Sequence, residues 1–382
     1  MTTTPPGTRP LNSIGLMSGT SLDGIDAALI TTDGERVAAR GPALTLPYPS
    51  AFRDRLRALL GREPEPSWQG MIDELTDRHA DAVRRLLDAA GLAAGSVDVV
   101  GFHGQTVLHR PQRRQTVQIG DSQRLADQLG IPVVGDLRQA DVAAGGQGAP
   151  LVPLYHAALA EPLAKPLAVL NIGGVANLTW IGGGIGGGIG SGAGEPGLLA
   201  FDTGPGNALI DDFVRERTGS AYDDGGRLAA AGRADGARVM AWLRHDFFRR
   251  PWPKSLDRND FAFAAPAVAA LSTEDGAATL AAFTARAVVF SLPLLPAPPL
   301  RILVCGGGRH NPVLLQTIAN GCGLPVEPVE AVGWRGDSIE AEAFAFLAVR
   351  ALRRLPLTLP STTGVPAPLT GGILYQPADR GG

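Results

Sequence analysis

One pattern occurs twice in this chain. Residues 12–32 contain SIGLMSGTSLDGIDAALITT, and residues 167–181 read LAVLNIGGVANLTWI. Each is an apolar run, a turn of small residues and a second apolar run, the signature of a β-hairpin with a small-residue tip. A pattern repeated some 150 residues apart in the sequence is not a short-period solenoid. It fits two related lobes flanking a cleft, each opening with the same hairpin.

The remaining segments alternate in type. RDRLRALL and DELTDRHADAVRRLLDAAGL, within residues 52–92, carry helical periodicity, with Gly91 as the expected C-cap. VDVVGFHGQTVLHRP (97–111) reads as a buried strand, a loop and a second strand. QRLADQLG is a short helix ending at Gly130, and IPVVGDLR is again a strand. LLAFDTGPGNALIDDFVRE (198–216) is strand, turn and helix, with Asp202 ending the strand and Asn207 capping the helix. Residues 262–293 are helical and Ala-rich, 301–323 are strand, Gly turn and helix, and 337–355 form an amphipathic helix. Strands alternating with helices, with Gly-rich turns at strand ends, favour α/β over all-β or a helical bundle. The Gly-rich segment 141–150 is the expected domain boundary. Residues 1–10 read as a disordered tail, 11–140 plus 356–382 as one lobe, and 141–355 as the other. The Gly/Ser tract 182–197 reads as a flexible loop between strands.

Composition limits the partners. With 34 Lys+Arg against 37 Asp+Glu, the formal charge is −3, which argues against nucleic acid or an anionic membrane as the main partner. Two cysteines, Cys305 and Cys322, are too few for a disulfide scaffold and lack the clustered histidines of a zinc site. The N-terminus has no signal-peptide pattern. The most apolar long stretch, residues 287–300, carries four prolines and falls short of the roughly 20 residues a membrane helix needs. The expectation is a cytoplasmic protein.

Six segments carry chemistry, and a seventh, residues 252–261, is open between pocket and loop. GLMSGTSLDGID (Gly15–Asp26) sets a hydroxyl-rich turn before two carboxylates, Asp23 and Asp26. Backbone N–H groups there can approach a phosphate closely, and adjacent acids suit Mg²⁺, which prefers oxygen ligands. The same turn is equally explained by Ser, Thr and Asp satisfying their own backbone. Gly173, Gly174 and Asn177 form a second such turn, and Cys305-Gly-Gly-Gly-Arg-His-Asn-Pro312 a third at a helix start, open to a phosphate or an adenosine. The first turn lacks the Walker A lysine, and the third is not the dinucleotide fingerprint. Each is also readable as an ordinary tight turn, and Cys305 as a buried apolar residue. Asp202 is placed to act as a general base, or to cap its own turn. Glu340 and Glu342, two residues apart in a first helical turn, face different sides, so only one can point into a cleft. His103, Gln105, Arg138 and Asp141 lie in Gly-rich segments, and Arg138 can offer a carboxylate its guanidinium fork. WPKSLDRNDF (252–261), with Lys254, Ser255, Asp257 and Arg258, lines a polar pocket or is a solvated loop.

Taken in order, GLMSGTSLDGID, GFHGQTVLHRP, QIGDSQRLA, DLRQADVAAGGQGAPLVP, LNIGGVANLT, FDTGPGNALID, DGGRLAAAG, PKSLDRNDF, LVCGGGRHNP and DSIEAEAFAFLA resemble the anhydro-N-acetylmuramic acid kinase family over nearly the whole chain. The resemblance implies a two-lobed, duplicated ribonuclease-H-like fold of the acetate/sugar kinase–Hsp70–actin type, with a central hinged cleft for ATP and substrate. It implies ATP held by Gly19, Thr20, Ser21, Leu22, Asp23, Gly24, Ile25 and Asp26, by Gly173, Gly174 and Asn177, and by Gly306, Gly307, Gly308 and Asn311. It implies Mg²⁺, with Asp23 as the candidate ligand.

The implied reaction opens the 1,6-anhydro ring of 1,6-anhydro-N-acetylmuramic acid with water and phosphorylates O6, giving N-acetylmuramic acid 6-phosphate and ADP, a step of peptidoglycan recycling. Asp202 matches the family's base and Glu340 its acid on the substrate side. The candidate substrate residues are His103, Gln105, Arg138, Asp141, Gly204 and Asn207. A homodimer is a further expectation, with no nucleic acid or membrane partner. Two other readings are another sugar or acid kinase of the same fold and a non-catalytic, nucleotide-gated sugar sensor. The presence of both Asp202 and Glu340 and the lack of a DNA-binding segment count against the sensor.

Overall fold

A computed structural model of the chain describes residues 9–19, 21–182, 197–257 and 259–378. The expectations for most of the N-terminal tail, for Thr20, for Arg258 and for most of the Gly/Ser tract therefore lie outside the described residues. The chain divides into two units, residues 1–161 with 338–382, and residues 162–337.

In the first unit, β1 (Leu11–Ser18), β2 (Gly24–Thr32) and β3 (Val37–Pro47) form an antiparallel meander. β4 (Val99–Arg110) pairs parallel with β1, and β6 (Val133–Gly135) pairs parallel with β4. β5 (Gln115–Ile119) folds back on β4, and β12 (Ile373–Tyr375) edges the sheet beside β6. In the second unit, β7 (Leu167–Ile172), β8 (Val175–Ile181) and β9 (Leu198–Pro205) repeat the meander. β10 (Ile302–Cys305) and β11 (Val326–Pro328) repeat the parallel pair. The orders β3-β2-β1-β4-β6 and β9-β8-β7-β10-β11 coincide strand for strand. This is the duplicated ribonuclease-H-like α/β fold of the actin, Hsp70 and sugar kinase type, and the twice-occurring hairpin is its opening pair in each unit.

The division falls later than the sequence suggested. Residues 141–161 and 338–355, expected in the second lobe, belong to the first unit. The reason is packing. Asp141 is 2 % exposed and accepts from Gly148 N and the Thr363 hydroxyl, fixing the Gly-rich segment to the C-terminal region. The helix Ile339–Leu352 lies across β1, β2 and β4, and the short helix Pro153–Leu159 packs on it. Its seat is a pair of glycines in register on adjacent strands, Gly15 and Gly101. A Cβ on Gly15 would stand 1.8 Å from Ala341 O, and one on Gly101 2.1 Å from Phe344 O. Glycine lets a helix backbone touch a strand backbone directly.

β4 is one strand where two were expected. The register against β1 slips between Leu16 and Ser18, and Gly104 (φ +70°) absorbs the extra residue, so the chain bends without leaving the sheet. Helix ends follow their capping residues. Gly91 (φ +63°) and Gly130 (φ +66°) close two helices, and Asp121 accepts from Arg124 N at the start of the second. In the second unit the Ala-rich segment forms Ala264–Val268 and Thr273–Ser291. Thr273–Leu294, rather than residues 287–300, is the stretch long and apolar enough to cross a membrane, and it lies mostly buried in the second unit, packed against neighbouring helices and β9.

Candidate active site

The small-residue tip of the first hairpin is a strained turn. Leu22 N donates to Gly19 O at 3.1 Å, and Leu22 sits at φ +60°, a conformation costly for a branched residue. Its side chain is 1 % exposed, so the core holds it there. Ile25 is likewise buried, leaving only backbone from these two residues for a ligand. Beneath the tip, Ser18 donates to Gln105 Oε1 (2.6 Å), so the Tyr48 hydroxyl must donate to Ser18 Oγ (2.8 Å). Gln105 Nε2 donates to Gly19 O (3.3 Å) and Thr106 O (3.2 Å). Gln105, expected as a substrate contact, is thus fully engaged in shaping the turn. Burial pushes the Tyr48 phenol up, which keeps it a donor. Asp23 is exposed, and its carboxylate makes no hydrogen bond among the described residues. Asp26 accepts from Thr45 Oγ1 at 2.6 Å.

In the second unit two glycine turns meet at the ends of β7 and β10. Gly206 N and Asn207 N donate to Gly174 O and Gly173 O (3.0 and 2.7 Å), and Asn207 Nδ2 donates to Ile172 O (3.2 Å). Asn207 therefore does not cap its helix, contrary to expectation; it ties the helix start to the β7–β8 turn. Asn311 is the residue that caps, accepting from Val313 N and Leu314 N. The glycines fall into two classes. A Cβ on Gly306 (φ +72°) would lie 2.3 Å from Asn171 Oδ1, and one on Gly308 2.4 Å from Ile172 Cγ2. A Cβ on Gly204 would lie 2.7 Å from Ala287 Cβ, and one on Gly24 2.4 Å from Leu46 O. The fold requires these four. Gly19, Gly173, Gly174 and Gly307 would place a Cβ no closer than 3.6 Å to any neighbour, and none has positive φ. No described residue fills the space their missing side chains leave.

Asp202 does not end its strand. β9 runs on to Pro205, and Asp202 stands opposite Asn177, which in turn faces Asn171, which faces Cys305. This row crosses the sheet, with Cys305 3 % exposed as expected. The segment after Pro253 folds over Asp202: Asp202 N donates to Lys254 O (3.0 Å), and Leu256 N donates to Asp202 Oδ2 (2.7 Å). Oδ1 makes no hydrogen bond among the described residues. Burial pushes the carboxyl up to about 7, against the Leu256 N–H and the Lys254 charge, which pull it down. Lys254 is itself 7 % exposed and burial pulls it down to about 8. Residues 252–261 are thus no solvated loop around Lys254.

In the first unit, Arg138 Nε donates to His103 Nε2 (2.8 Å), which leaves the proton of a neutral His103 on Nδ1, donating to Gly104 O (2.8 Å). Burial first, and then the Arg138 charge, hold His103 well below its ordinary value. Arg138 also donates from Nη1 to Gly148 O, while Nη2 makes no hydrogen bond among the described residues. Burial draws Arg138 down to about 10, against Glu340 and Asp141. His103 and Gln105 lie within β4, not in a loop, and Asp141 spends both oxygens on the 145–148 turn and Thr363. Of the two acids, Glu342 is fully buried and accepts from the Tyr155 hydroxyl at 2.6 Å, whereas Glu340 is half-buried and its charge acts on Arg138. Sequence reasoning missed Tyr48 and Tyr155; neither lies in a motif, and only the fold brings them to Ser18 and Glu342.

The family profile described as anhydro-N-acetylmuramic acid kinase matches residues 11–377. This chain belongs to that family. The anhydro-N-acetylmuramic acid kinase of Rhodospirillum rubrum is 58% identical over 369 residues, covering 96% of this chain and 94% of that one. That of Acidiphilium cryptum is 56% identical over 373 residues, covering 96% and 99%. Among solved structures, the (R)-2-hydroxyglutaryl-CoA dehydratase component A of Acidaminococcus fermentans aligns over 89% of this chain and 98% of that one, at TM-score 0.45 and 10% identity.

Proposed function

We propose that the protein is an ATP-dependent phosphotransferase that opens the 1,6-anhydro ring of 1,6-anhydro-N-acetylmuramic acid with water and phosphorylates O6. The observation that carries the chemistry is Asp202: a carboxyl with one oxygen held by a backbone N–H, the other unbonded among the described residues, and a proton affinity raised to about neutral. A base works best when its pKa lies near the working pH. Asp202 takes a proton from water as the water oxygen bonds to the anomeric carbon. The bond from that carbon to O6 breaks, and the electron pair left on O6 attacks the γ-phosphorus, expelling ADP. The coupling spares the enzyme from deprotonating a poorly acidic hydroxyl.

The four glycines that the fold does not require support nucleotide contacts at Gly19, Gly173, Gly174 and Gly307, where no side chain bars a close approach to the backbone, the Gly173 N–H itself being given to Val175 O. Gly24, Gly306 and Gly308 shape those turns, and Asn311 and Asn207 fix the helix starts beside them. Asn177 stands on the Asp202 row. Arg138, oriented by His103 and by the Asp141-held turn, offers Nη2 to the lactyl carboxylate. Glu340 orients sugar or water. No group of three or more His, Cys, Asp or Glu that could hold a metal occurs among the described residues. The exposed Asp23 carboxylate fits an ion held mainly by phosphate oxygens and water, as Mg²⁺ commonly is. Bound there, Mg²⁺ would neutralise phosphate charge. A cytoplasmic location and a homodimer belong to this reading as well.

The test is ADP release from Mg-ATP and 1,6-anhydro-N-acetylmuramic acid in ¹⁸O-water. The expected product carries the label at the anomeric carbon. Phosphorylation without label would leave a kinase of the same fold acting on another hydroxyl. ATP binding with no turnover would favour the sensor.

A further inference from the structure

A lysine 7 % exposed, with no carboxylate within ion-pair distance among the described residues, needs an explanation. Lys254 Nζ donates to Phe247 O at 3.2 Å. It lies 4.6 Å from the Phe247 ring centroid and 5.5 Å from that of Phe201. Aromatic faces and a carbonyl stabilise an ammonium in a dry setting. Phe201 precedes Asp202 on β9, and the Lys254 carbonyl receives the Asp202 N–H. Backbone and rings together therefore fix the ammonium beside β9, outside ion-pair distance of the Asp202 carboxylate.

We propose that Lys254 is a positioning residue for the reaction at Asp202: its buried charge favours the ionised carboxyl, the form that accepts a proton from water, while leaving Oδ1 without a competing donor. A direct ion pair would also favour the carboxylate, but it would occupy the oxygen that the water must reach. A charge held at a distance lowers proton affinity and leaves the geometry open. The other charged groups acting on this pair are Asp260, which opposes ionisation of Asp202, and Arg250, which opposes protonation of Lys254. Among the described residues, Lys254 is the cation acting on Asp202. The inference rests on Asp202 being the base.

The experiment is the pH profile of kcat/KM, by ADP release, for wild type, Lys254→Met, Lys254→Gln, Lys254→Arg and Asp202→Asn, with melting temperatures alongside. The acid limb of wild type reports the base in the free enzyme. In Lys254→Met and Lys254→Gln this limb should move up by about one pH unit, with the plateau at high pH largely kept and KM for ATP unchanged. Lys254→Arg should restore the wild-type limb. A uniform fall at every pH with an unmoved limb would mean a structural role only, and would overturn the proposal. So would failure of both uncharged variants to fold. Asp202→Asn separates the two assignments: retained turnover there removes the base itself, whereas a dead Asp202→Asn with an unmoved limb in the lysine variants removes only Lys254.

Discussion

The Tyr155 hydroxyl donates to Glu342 Oε2 at 2.6 Å within the first unit, and this single contact separates the roles of two acids in one helical turn. Glu342, fully buried, is spent on holding the helix Pro153–Leu159 to the helix Ile339–Leu352. Glu340, two residues earlier, is half-buried and its charge acts on Arg138.

The two acids should therefore fail differently. Glu342→Ala removes the acceptor that the buried Tyr155 hydroxyl donates to and should cost about 2 kcal/mol, read as a lower melting temperature with or without substrate. Glu340→Gln should melt like wild type while kcat falls roughly tenfold or more. Equal melting of the two variants would contradict the division.

Asp202 couples activity to stability. Its folded value of about 7 lies above its ordinary 3.8. The native state therefore holds an extra proton between those values, so stability falls as pH rises from about 4 to about 7 and stays lower above. Asp202→Asn removes that loss. It should melt higher than wild type at pH 8 and gain least near pH 4, while kcat drops by roughly 10²- to 10⁴-fold. Thermal melts across pH, set beside turnover, check both halves.

The glycine classes predict opposite outcomes for the same substitution. Gly306→Ala places a methyl 2.3 Å from Asn171 Oδ1 at φ +72° and should destabilise by at least roughly 1–2 kcal/mol. Gly173→Ala meets nothing closer than 3.7 Å and should melt normally, yet raise the ATP KM by roughly tenfold. Chemical denaturation and initial rates distinguish them. A normal ATP KM in Gly173→Ala would take that turn out of the nucleotide site.

Arg138 is tied through Nε and Nη1, which leaves Nη2 as its reach. Arg138→Lys loses both the anchors at Nε and Nη1 and the Nη2 donor they orient, and should lower kcat/KM for the carboxylate-bearing sugar by roughly 10- to 100-fold. The same variant should change little with the analogue that lacks the lactyl group. An equal loss with both sugars would assign Arg138 to the fold.

Much of this architecture was legible because it is written in local signals. The two hairpins show as apolar runs around small-residue tips, and Gly91, Gly130 and the Asn311-Pro312 pair mark helix ends by backbone chemistry alone. What was not legible depends on distant partners. Asp141 looked available until Thr363, 222 residues away, took its second oxygen. Asn207 has the composition of a cap, but Ile172 O competes for its amide and wins. The boundary near residue 141 followed a run of glycines, which marks a turn and not the end of a core. Lys254 lay in a segment that reads equally well as pocket or solvated loop, because the rings that bury it come from residues 201 and 247.

The paired glycines under the helix Ile339–Leu352 have a consequence for anyone altering this enzyme. At Gly15 and Gly101 the helix rests backbone to backbone on the two strands that lead to the first turn and to His103. No side chain intervenes that could be trimmed or enlarged to retune the spacing. Glu340 and the Ser18–Gly19 turn are in effect machined from one block. Redesign of sugar preference should leave that block whole.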